Sequence, residues 1–282
     1  MNTLHLVAPE RSVIGYQILT FPDGQPHIKL APDTMAALNR NEPLHIVSRI
    51  TDATGLLIIL LANDVLKREG FTHIQLHITY LLGARMDRVM APGVPFSLHV
   101  IAGIINSAGF ASVHILDPHS PVATTLIERS VAITNHRFAA DVIAHYVAQY
   151  RPEQYCIVSP DAGASRKIDE LAQYIGNIPV VHCTKVRNPA TGALSGFATD
   201  ATNLDGQTCI IVDDICDGGG TFAGTAATLR QAGAGKVVLV VTHGIFSRGI
   251  QIPDVDAVYC TSSYRQVDGI HCMDVSRYMP QL

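Results

Sequence analysis

Three aspartates and three consecutive glycines occur within eight residues of the chain, inside the sequence CIIVDDICDGGGTFAG at 209–224. The apolar run before Asp213 predicts a short buried strand that ends at the first acids, and a helical pattern runs from Thr221 to Gly233. Backbone N–H groups in a glycine-rich turn at a helix start bind anions. Carboxylates beside such a turn suit sugar hydroxyls and a divalent cation. The stretch therefore predicts a pocket for a phosphorylated sugar with a metal.

Two other glycine-loop motifs and an ordinary turn are alternative interpretations of this stretch. Gly218, Gly220 and Ala223 satisfy the relaxed dinucleotide-binding pattern. The ribose-binding acid expected about 20 residues later is missing, since the chain there reads LVVTHGIF. No Lys-Ser/Thr pair follows the glycines, which excludes a Walker phosphate loop. A strand-to-helix turn with solvated aspartates stays open, although so many Asp and Gly residues are unusual for a turn.

Composition favours an α/β enzyme. Of 282 residues, 48% are hydrophobic and 16% are charged, which suits parallel sheets covered on both faces. A net charge of −4 gives no support for nucleic-acid binding. The N-terminus lacks a signal-peptide pattern, and the longest apolar run, at 56–62, is too short to span a membrane. We expect a cytoplasmic enzyme with six reduced cysteines, most of them in the core.

Short apolar runs alternate with helical patterns, which predicts parallel sheets with right-handed crossovers. The predicted strands are 45–50, 73–80, 112–116, 155–159, 179–183, 208–213 and 236–242. The predicted helices lie near 54–69, 97–108, 137–149, 165–174 and 221–232. A boundary near 130–150 divides the chain into two α/β halves. The stretch 188–206 lacks periodicity and is expected to be either a functional flap or disordered.

Two polar clusters follow predicted strands of the first half, at the sheet edge where ligands bind in such folds. Arg85, Asp87 and Arg88 come directly after the strand at 73–80. Guanidinium forks suit the oxygens of a nucleoside triphosphate, and the alternative is a solvated loop with a local ion pair. His119 follows the strand at 112–116, and its alternative is a purely structural role.

Two more clusters follow strands of the second half. Asp161 comes after the strand at 155–159, where Gly163 and the next helix start can cradle a diphosphate. The alternative is an aspartate that caps the helix. Lys185 and Arg187 stand two apart on an extended segment, so both project to one face just before the flap. Phosphoryl-type transfer needs positive charge at the developing oxygens, which these two residues can supply.

The stretch at 209–224 resembles the phosphoribosyl diphosphate (PRPP) signature of type I phosphoribosyltransferases and PRPP synthetases. That signature is an apolar strand, two acids, two variable residues, then an acid, a hydroxyl residue, two glycines and Thr. Gly218 departs from it, because the family has a hydroxyl side chain there. The matching residues, which the resemblance assigns to ribose-phosphate binding together with Gly218, are Asp213, Asp214, Asp217, Gly219, Gly220 and Thr221.

Nucleotide-side motifs of PRPP synthetases have counterparts in the first half. The sequence FPDGQ at 21–25 is similar to the family's Phe-x-Asp-Gly-Glu, which reaches the adenine of a neighbouring subunit; here the acid becomes Gln25. YLLGARMDR at 80–88 is similar to the family's Ala-Arg-Gln-Asp motif, with Met86 in place of Gln. DPH at 117–119 is similar to Asp-Leu-His, whose histidine helps to hold the Mg²⁺ of the nucleotide. The resemblance thus implies nucleotide binding by Phe21, Asp23, Gln25, Arg85, Asp87, Arg88 and His119.

Catalytic motifs of the family recur in the second half. PDAGA at 160–164 is similar to Pro-Asp-x-Gly-Gly, with Ala164 in place of the second glycine, so Asp161 becomes the second metal-side acid beside His119. Lys185-x-Arg187 is similar to the start of the catalytic loop, which makes these two residues the catalytic pair. The resemblance covers roughly residues 15–265, with its motifs in family order.

The resemblance implies two phosphoribosyltransferase-like domains, each a mostly parallel sheet flanked by helices. Domain 1–135 would bind the nucleotide, and domain 136–282 would hold the PRPP loop and the catalytic flap. The implied activity is a Mg²⁺-dependent ribose-phosphate diphosphokinase that transfers diphosphate from ATP to the anomeric hydroxyl of ribose 5-phosphate, giving PRPP and AMP. An active site shared between subunits implies a homo-oligomer, at least a dimer.

Alternatives remain for the acceptor and the reaction. Because Gly218 removes a hydroxyl group and its volume, a 5-substituted ribose such as ADP-ribose is the alternative acceptor. The short chain is also similar to viral PRPP-synthetase relatives that diphosphorylate ADP-ribose to rebuild NAD⁺, so a virus-encoded enzyme acting in the host cytoplasm is open. A phosphoribosyltransferase that needs no ATP is a second alternative, and a non-catalytic regulator is a third.

Overall fold

Two mostly parallel sheets, each in its own compact unit, organise the chain. The computed structural model describes residues 1–187 and 194–280. The first unit is Met1–Thr134 with Met279 and Pro280, and the second is Asn135–Tyr278. The predicted α/β class with two mostly parallel sheets flanked by helices is confirmed. None of the described helices is long and apolar enough to cross a membrane.

The first unit is built on a five-stranded, fully parallel sheet in the order β1-β4-β5-β6-β7, with a separate antiparallel hairpin of β2 and β3. Its strands are β1 (Asn2–His5), β2 (Tyr16–Thr20), β3 (Pro26–Leu30), β4 (Leu44–Ser48), β5 (Ile74–Ile78), β6 (Ser112–Leu116) and β7 (Ser130–Ile133). Its helices are α1 (Pro32–Ala36), α2 (Ala53–Arg68), α3 (Ser97–Ser107) and α4 (Val122–Leu126).

Helix α2 shows how sequence sets this packing. Asp52 begins it by accepting a hydrogen bond from the backbone N–H of Gly55 at 2.8 Å, an N-cap interaction. Leu56, Ile59 and Leu66 recur at helical spacing, and all three are buried in the core beneath the sheet. The helix therefore buries one apolar stripe and leaves its charged residues in water.

The second unit contains a seven-stranded sheet in the order β10-β9-β8-β11-β12-β13-β14, in which the β9–β10 pair alone is antiparallel among the described strands. Its strands are β8 (Tyr155–Ser159), β9 (Val180–Arg187), β10 (Leu194–Thr199), β11 (Thr208–Cys216), β12 (Lys236–Gly244), β13 (Ala257–Thr261) and β14 (His271–Met273). Its helices are α5 (His136–Tyr150), α6 (Ser165–Tyr174) and α7 (Gly220–Gln231).

Strand β11 is central to this sheet and is buried on both faces. Cys209 and Ile211 pack into the core on the α7 side, whereas Ile210 and Val212 pack into the core beneath α5 and α6. A strand covered on both faces needs a continuous apolar run rather than an alternating one. That requirement explains why the sequence before the aspartates reads CIIV.

The predicted strands and helices are present, with changes at some ends. Strand β11 does not end at the first aspartates but continues to Cys216, because residues through Gly244 of β12 pair with it. Strand β9 continues to Arg187, paired with β10. Part of the predicted flap is thus a strand, while 188–193 lie outside the described residues. All six cysteines are free and five are buried, as predicted.

Three histidines lie side by side on the first sheet, on β4, β5 and β6. His45 Nδ1 is 3.0 Å from His77 Nε2, and the rings of His77 and His114 stack with their centroids 4.6 Å apart. Burial, and then the neighbouring imidazoles, lower the pKa of His77 to about 3. Burial also lowers the pKa of His45 and of His114. The three rings are therefore neutral in the folded chain at neutral pH.

We predict that acid destabilises the first unit through these histidines. Unfolded histidine takes up a proton near pH 6.5, whereas folded His77 does so only near pH 3, so the unfolded state binds more protons between these values. Stability is fully present above pH 6.5 and falls as pH is lowered toward 3, by at most about 1.4 kcal/mol per pH unit for this residue. Urea unfolding at several pH values measures the slope.

His77→Gln should make that slope shallower, and the exposed His99→Gln is the matched control. The explanation is wrong if His77→Gln keeps the full acid sensitivity of the original chain.

Candidate functional site

Three neighbouring strands, β9, β8 and β11, bring a lysine, an acid and the glycine turn to one edge of the second sheet. Lys185 Nζ lies 2.8 Å from Asp161 Oδ2 and donates a hydrogen bond to Thr221 Oγ1 at 2.7 Å. Its side chain is only 12% exposed. The lysine thus joins the end of β8 to the first turn of α7. Arg187 belongs to β9, and the position of its side chain is outside the described part of the chain.

Asp161 has both carboxylate oxygens engaged. Oδ1 accepts hydrogen bonds from the backbone N–H groups of Gly163 at 2.9 Å and Ala164 at 3.1 Å, just before α6, while Oδ2 faces Lys185. Asp161 thus binds the backbone just before α6, without acting as its N-cap residue, and pairs with Lys185 at the same time. A metal cation that binds Asp161 would compete with the Lys185 ammonium group for Oδ2.

The glycine turn follows the end of β11. Asp217 and Gly218 lead to Gly219, whose φ of +74° is in the left-handed region that glycine tolerates. Helix α7 begins at Gly220, one residue before the predicted start. Amide groups in the first turn of a helix have no partners within it, so the turn can accept an anion.

Asp213 and Asp214 form a tight pair within β11. Asp214 is buried, and its backbone N–H donates to Asp213 Oδ1 at 2.9 Å. Desolvation, followed by the charge of Asp214, raises the pKa of Asp213 well above its usual range, and Lys167 opposes the shift. A protonated Asp213 can donate a hydrogen bond as well as accept one, which suits a sugar hydroxyl.

Strand β10 packs against α7 at the glycine turn. The ring of Phe197 lies over Gly224, where any added Cβ would collide with ring carbons, and Leu194 packs beside Gly220. Glycine inside a helix costs about 0.5–1 kcal/mol relative to alanine. Close approach of the Phe197 ring explains why this position is glycine. The described end of the flap is thus docked on the helix that begins at the glycine turn.

A segment that the sequence analysis missed also reaches the turn. The backbone N–H groups of Ile245 and Phe246 both donate to the carbonyl of Cys216, and that of Ser247 donates to the carbonyl of Asp217. The next residue, Arg248, lies against Gly218. The sequence contained a signal for this contact. Arg248 follows the end of β12, and β12 is the parallel neighbour of β11.

The predicted nucleotide residues lie in the first unit. Arg85, Asp87 and Arg88 follow β5, and His119 follows β6, so the adjacent strands deliver them to one edge of the sheet. Asp87 Oδ1 and Arg88 Nε are 4.0 Å apart, which is the local ion pair considered as the alternative.

Phe21, Asp23 and Gln25 form the tip of the β2–β3 hairpin, where the backbone N–H of Gln25 donates to Asp23 Oδ1 at 3.1 Å. The Phe21 ring is 41% exposed. The hairpin therefore presents an accessible aromatic ring to whatever binds there.

The potential metal ligands among the described residues do not form a preformed coordination site. Among the described residues, no group of three or more His, Cys, Asp and Glu side chains is placed to hold a metal ion. His119 belongs to the first unit and Asp161 to the second. Mg²⁺ commonly takes one or two carboxylates together with substrate phosphates and water.

Comparison with known proteins identifies the family. The profile of the phosphoribosyl transferase domain matches residues 130–271, half of the chain. The chain therefore belongs to the phosphoribosyl transferase domain family. A crystal structure of phosphoribosylpyrophosphate synthetase from Mycobacterium smegmatis superposes with a TM-score of 0.75 at 20% identity, over 98% of this chain and 96% of that one. The fold of the whole chain is thus the fold of that structure.

Curated relatives are ribose-phosphate pyrophosphokinases, which confirms the resemblance found in the motifs. The protein from Pyrococcus abyssi is 28% identical over 84% of this chain and 79% of its own length. The Corynebacterium glutamicum protein is 30% identical over 67% of this chain and 57% of its own length. The protein from Mycoplasmopsis pulmonis is 30% identical over 74% of this chain. The chain spans from somewhat over half to about four fifths of these relatives.

We predict that Gly224→Ala impairs docking of β10. Alanine favours the helix by about 0.5–1 kcal/mol, but its methyl group would displace the Phe197 ring. Hydrogen exchange of the β10 amides should therefore speed up, while the α7 amides stay protected. Gly103→Ala, at a helical glycine with open space around it, is the matched control. Unchanged β10 exchange in Gly224→Ala would contradict this role.

Proposed function

We propose that the chain is a ribose-phosphate diphosphokinase that transfers the β,γ-diphosphate of MgATP to the anomeric hydroxyl of ribose 5-phosphate, giving PRPP and AMP. The observation that carries this proposal is the position of Lys185, held between Asp161 and Thr221 beside the glycine turn. A cation held there would stabilise a diphosphate group that is transferred to a ribose phosphate bound at the turn. The named activity of the curated relatives supports the same reaction.

Each group of site residues has its own proposed role. The glycine turn, with Thr221, binds the 5-phosphate, and Asp213 and Asp214 bind the ribose hydroxyls. The anomeric oxygen attacks the β-phosphorus, the bond from that phosphorus to the α–β bridging oxygen breaks, and the hydroxyl proton is released. Lys185 and Arg187 stabilise the charge on the transferring group. Docking of β10 on α7 would exclude the water that otherwise hydrolyses ATP.

Mg²⁺ enters this proposal as part of the nucleotide substrate, with His119 on the nucleotide side and Asp161 on the acceptor side as its proposed protein ligands. Bound there, it would neutralise phosphate charge. Release of Asp161 Oδ2 from Lys185 would free both an oxygen for the ion and an ammonium group for the diphosphate. Breaking the contact between Lys185 and Asp161 would thus serve both metal binding and diphosphate binding.

The nucleotide side is proposed to comprise Arg85, Asp87, Arg88 and His119, with the hairpin tip at 21–25 serving the adenine of another copy of the chain. The exposed Phe21 ring supports this assignment, because an aromatic face can stack on a base. A homo-oligomer, at least a dimer, follows from it. We place the reaction in the cytoplasm, with a virus-encoded enzyme in the host cytoplasm as the alternative origin.

ADP-ribose is the alternative acceptor, and the glycine turn is the reason to consider it. Gly218 has no hydroxyl side chain to close the turn around a terminal phosphate. The space is not empty, however, since Arg248 lies against it. A guanidinium group can bind the phosphate of a monoester or a diphosphate, so this contact is compatible with either acceptor. A phosphoribosyltransferase or a non-catalytic regulator would leave the Arg85 cluster without a nucleotide to bind.

We expect AMP to form from MgATP only when an acceptor is present. Incubation with ribose 5-phosphate and ADP-ribose at equal concentration, followed by mass spectrometry, identifies the acceptor. A 1-diphosphate of ribose 5-phosphate is the expected main product. Product formed from ADP-ribose alone would mean that the same reaction uses ADP-ribose as its acceptor. Absence of AMP with either sugar would overturn the diphosphokinase proposal.

A further inference from the structure

Resting on the proposed function, we infer that Arg248 is an additional acceptor-binding residue. Its guanidinium group would bind the phosphoryl group on the 5-position of the ribose, in the place of the hydroxyl side chain that Gly218 lacks. Arg248 would thereby set how tightly the sugar phosphate binds.

The position of Arg248 is fixed by the backbone around it. Strands β11 and β12 are parallel neighbours, so the segment after β12 leaves the same sheet edge as the glycine turn. Three hydrogen bonds, from the N–H groups of 245–247 to the carbonyls of Cys216 and Asp217, attach that segment to the turn. Gly249, with φ of +95°, donates its N–H to the carbonyl of Phe246 and closes a tight turn around Arg248.

Gly218 and Arg248 occupy adjoining space. A Cβ added to Gly218 would lie 3.4 Å from Cδ and 3.5 Å from Nε of Arg248. These are van der Waals distances, so the arginine stem packs directly beside the position of a side chain at 218. The guanidinium group is a hydrogen-bond donor next to a residue that has no side-chain donor.

A guanidinium group in place of a hydroxyl group favours the binding of an anionic ligand. Asp213, Asp214 and Asp217 surround the turn with carboxylates, which repel phosphate. Guanidinium is permanently charged and can donate two parallel hydrogen bonds to phosphate oxygens, whereas a hydroxyl donates one. Arg248 is exposed, and none of the described residues pairs with its guanidinium group. Its side chain is thus available to an incoming phosphate.

Steady-state kinetics of Arg248→Ala tests the inference. We expect KM for ribose 5-phosphate to rise about tenfold to a hundredfold, the effect of losing a hydrogen bond to a charged group. KM for MgATP should stay within about twofold. Arg248→Lys keeps the charge and should lie between the two. Arg68→Ala removes another exposed arginine, on α2, and should match the original chain.

A second variant separates binding from folding. In Gly218→Ser combined with Arg248→Ala, the new hydroxyl should recover part of the lost affinity. Unchanged KM for ribose 5-phosphate in Arg248→Ala, or an equal rise in KM for MgATP, would overturn the inference.

Calorimetric titration keeps this test independent of turnover. Ribose 5-phosphate and ADP-ribose are titrated separately into the original chain and Arg248→Ala. Weaker binding of either sugar in the variant supports the inference and identifies which phosphoryl group the arginine binds. If the original chain forms no AMP but this difference persists, the diphosphokinase proposal fails while the arginine contact stands.

Discussion

The contact of Lys185 with Asp161 and Thr221 is the constraint on which the site depends. A nearly buried ammonium group must have partners, because an unpaired charge away from water is costly. Its two partners come from the end of β8 and the start of α7. Satisfying the lysine therefore fixes the distance between the acidic loop and the glycine turn. The same contact keeps a positive charge beside the first turn of α7.

The sheet beneath the site makes this arrangement possible. β8, β9, β11 and β12 are parallel, so all four carboxyl ends meet at one edge of the sheet. Apolar residues on both faces of β11 hold the acidic pair at a fixed depth. Burial and the neighbouring Asp214 then raise the pKa of Asp213. The chemistry of the site thus follows from its place in the fold.

Sequence patterns predicted the central strands and long helices because their apolar periodicity is strong. They missed seven strands: β1, β2, β3, β7, β10, β13 and β14. Four of these, β1, β7, β10 and β14, are edge strands, and β2 and β3 form the separate hairpin, so they lack the continuous apolar run of a strand covered on both faces. They also ended β11 at Asp213, since a buried carboxyl pair inside a strand contradicts the usual expectation for acids. Pairing with β12, a contact between residues far apart in sequence, is what extends it.

Local motifs were enough to select Lys185, Asp161 and Thr221, but not to show that they touch one another. Contacts across strands decide that, and they also decide that Phe197 lies on Gly224. Arg248 escaped notice because its importance comes from packing on Gly218, and the two positions are thirty residues apart. The departure from the family pattern at Gly218 is visible in the sequence. The packing of Arg248 on Gly218 is visible only in the folded structure.

The most direct test of this account is the single-turnover rate of AMP formation in Lys185→Met, which keeps the side-chain stem and removes the charge. Lys236→Met is the matched control, since Lys236 pairs with Asp256 at 3.0 Å elsewhere in the same unit. The account predicts a rate about 10²–10⁵-fold lower for Lys185→Met, with the fold retained by circular dichroism. The control should be unaffected. A Lys185→Met rate equal to that of the control would contradict the central role of this lysine.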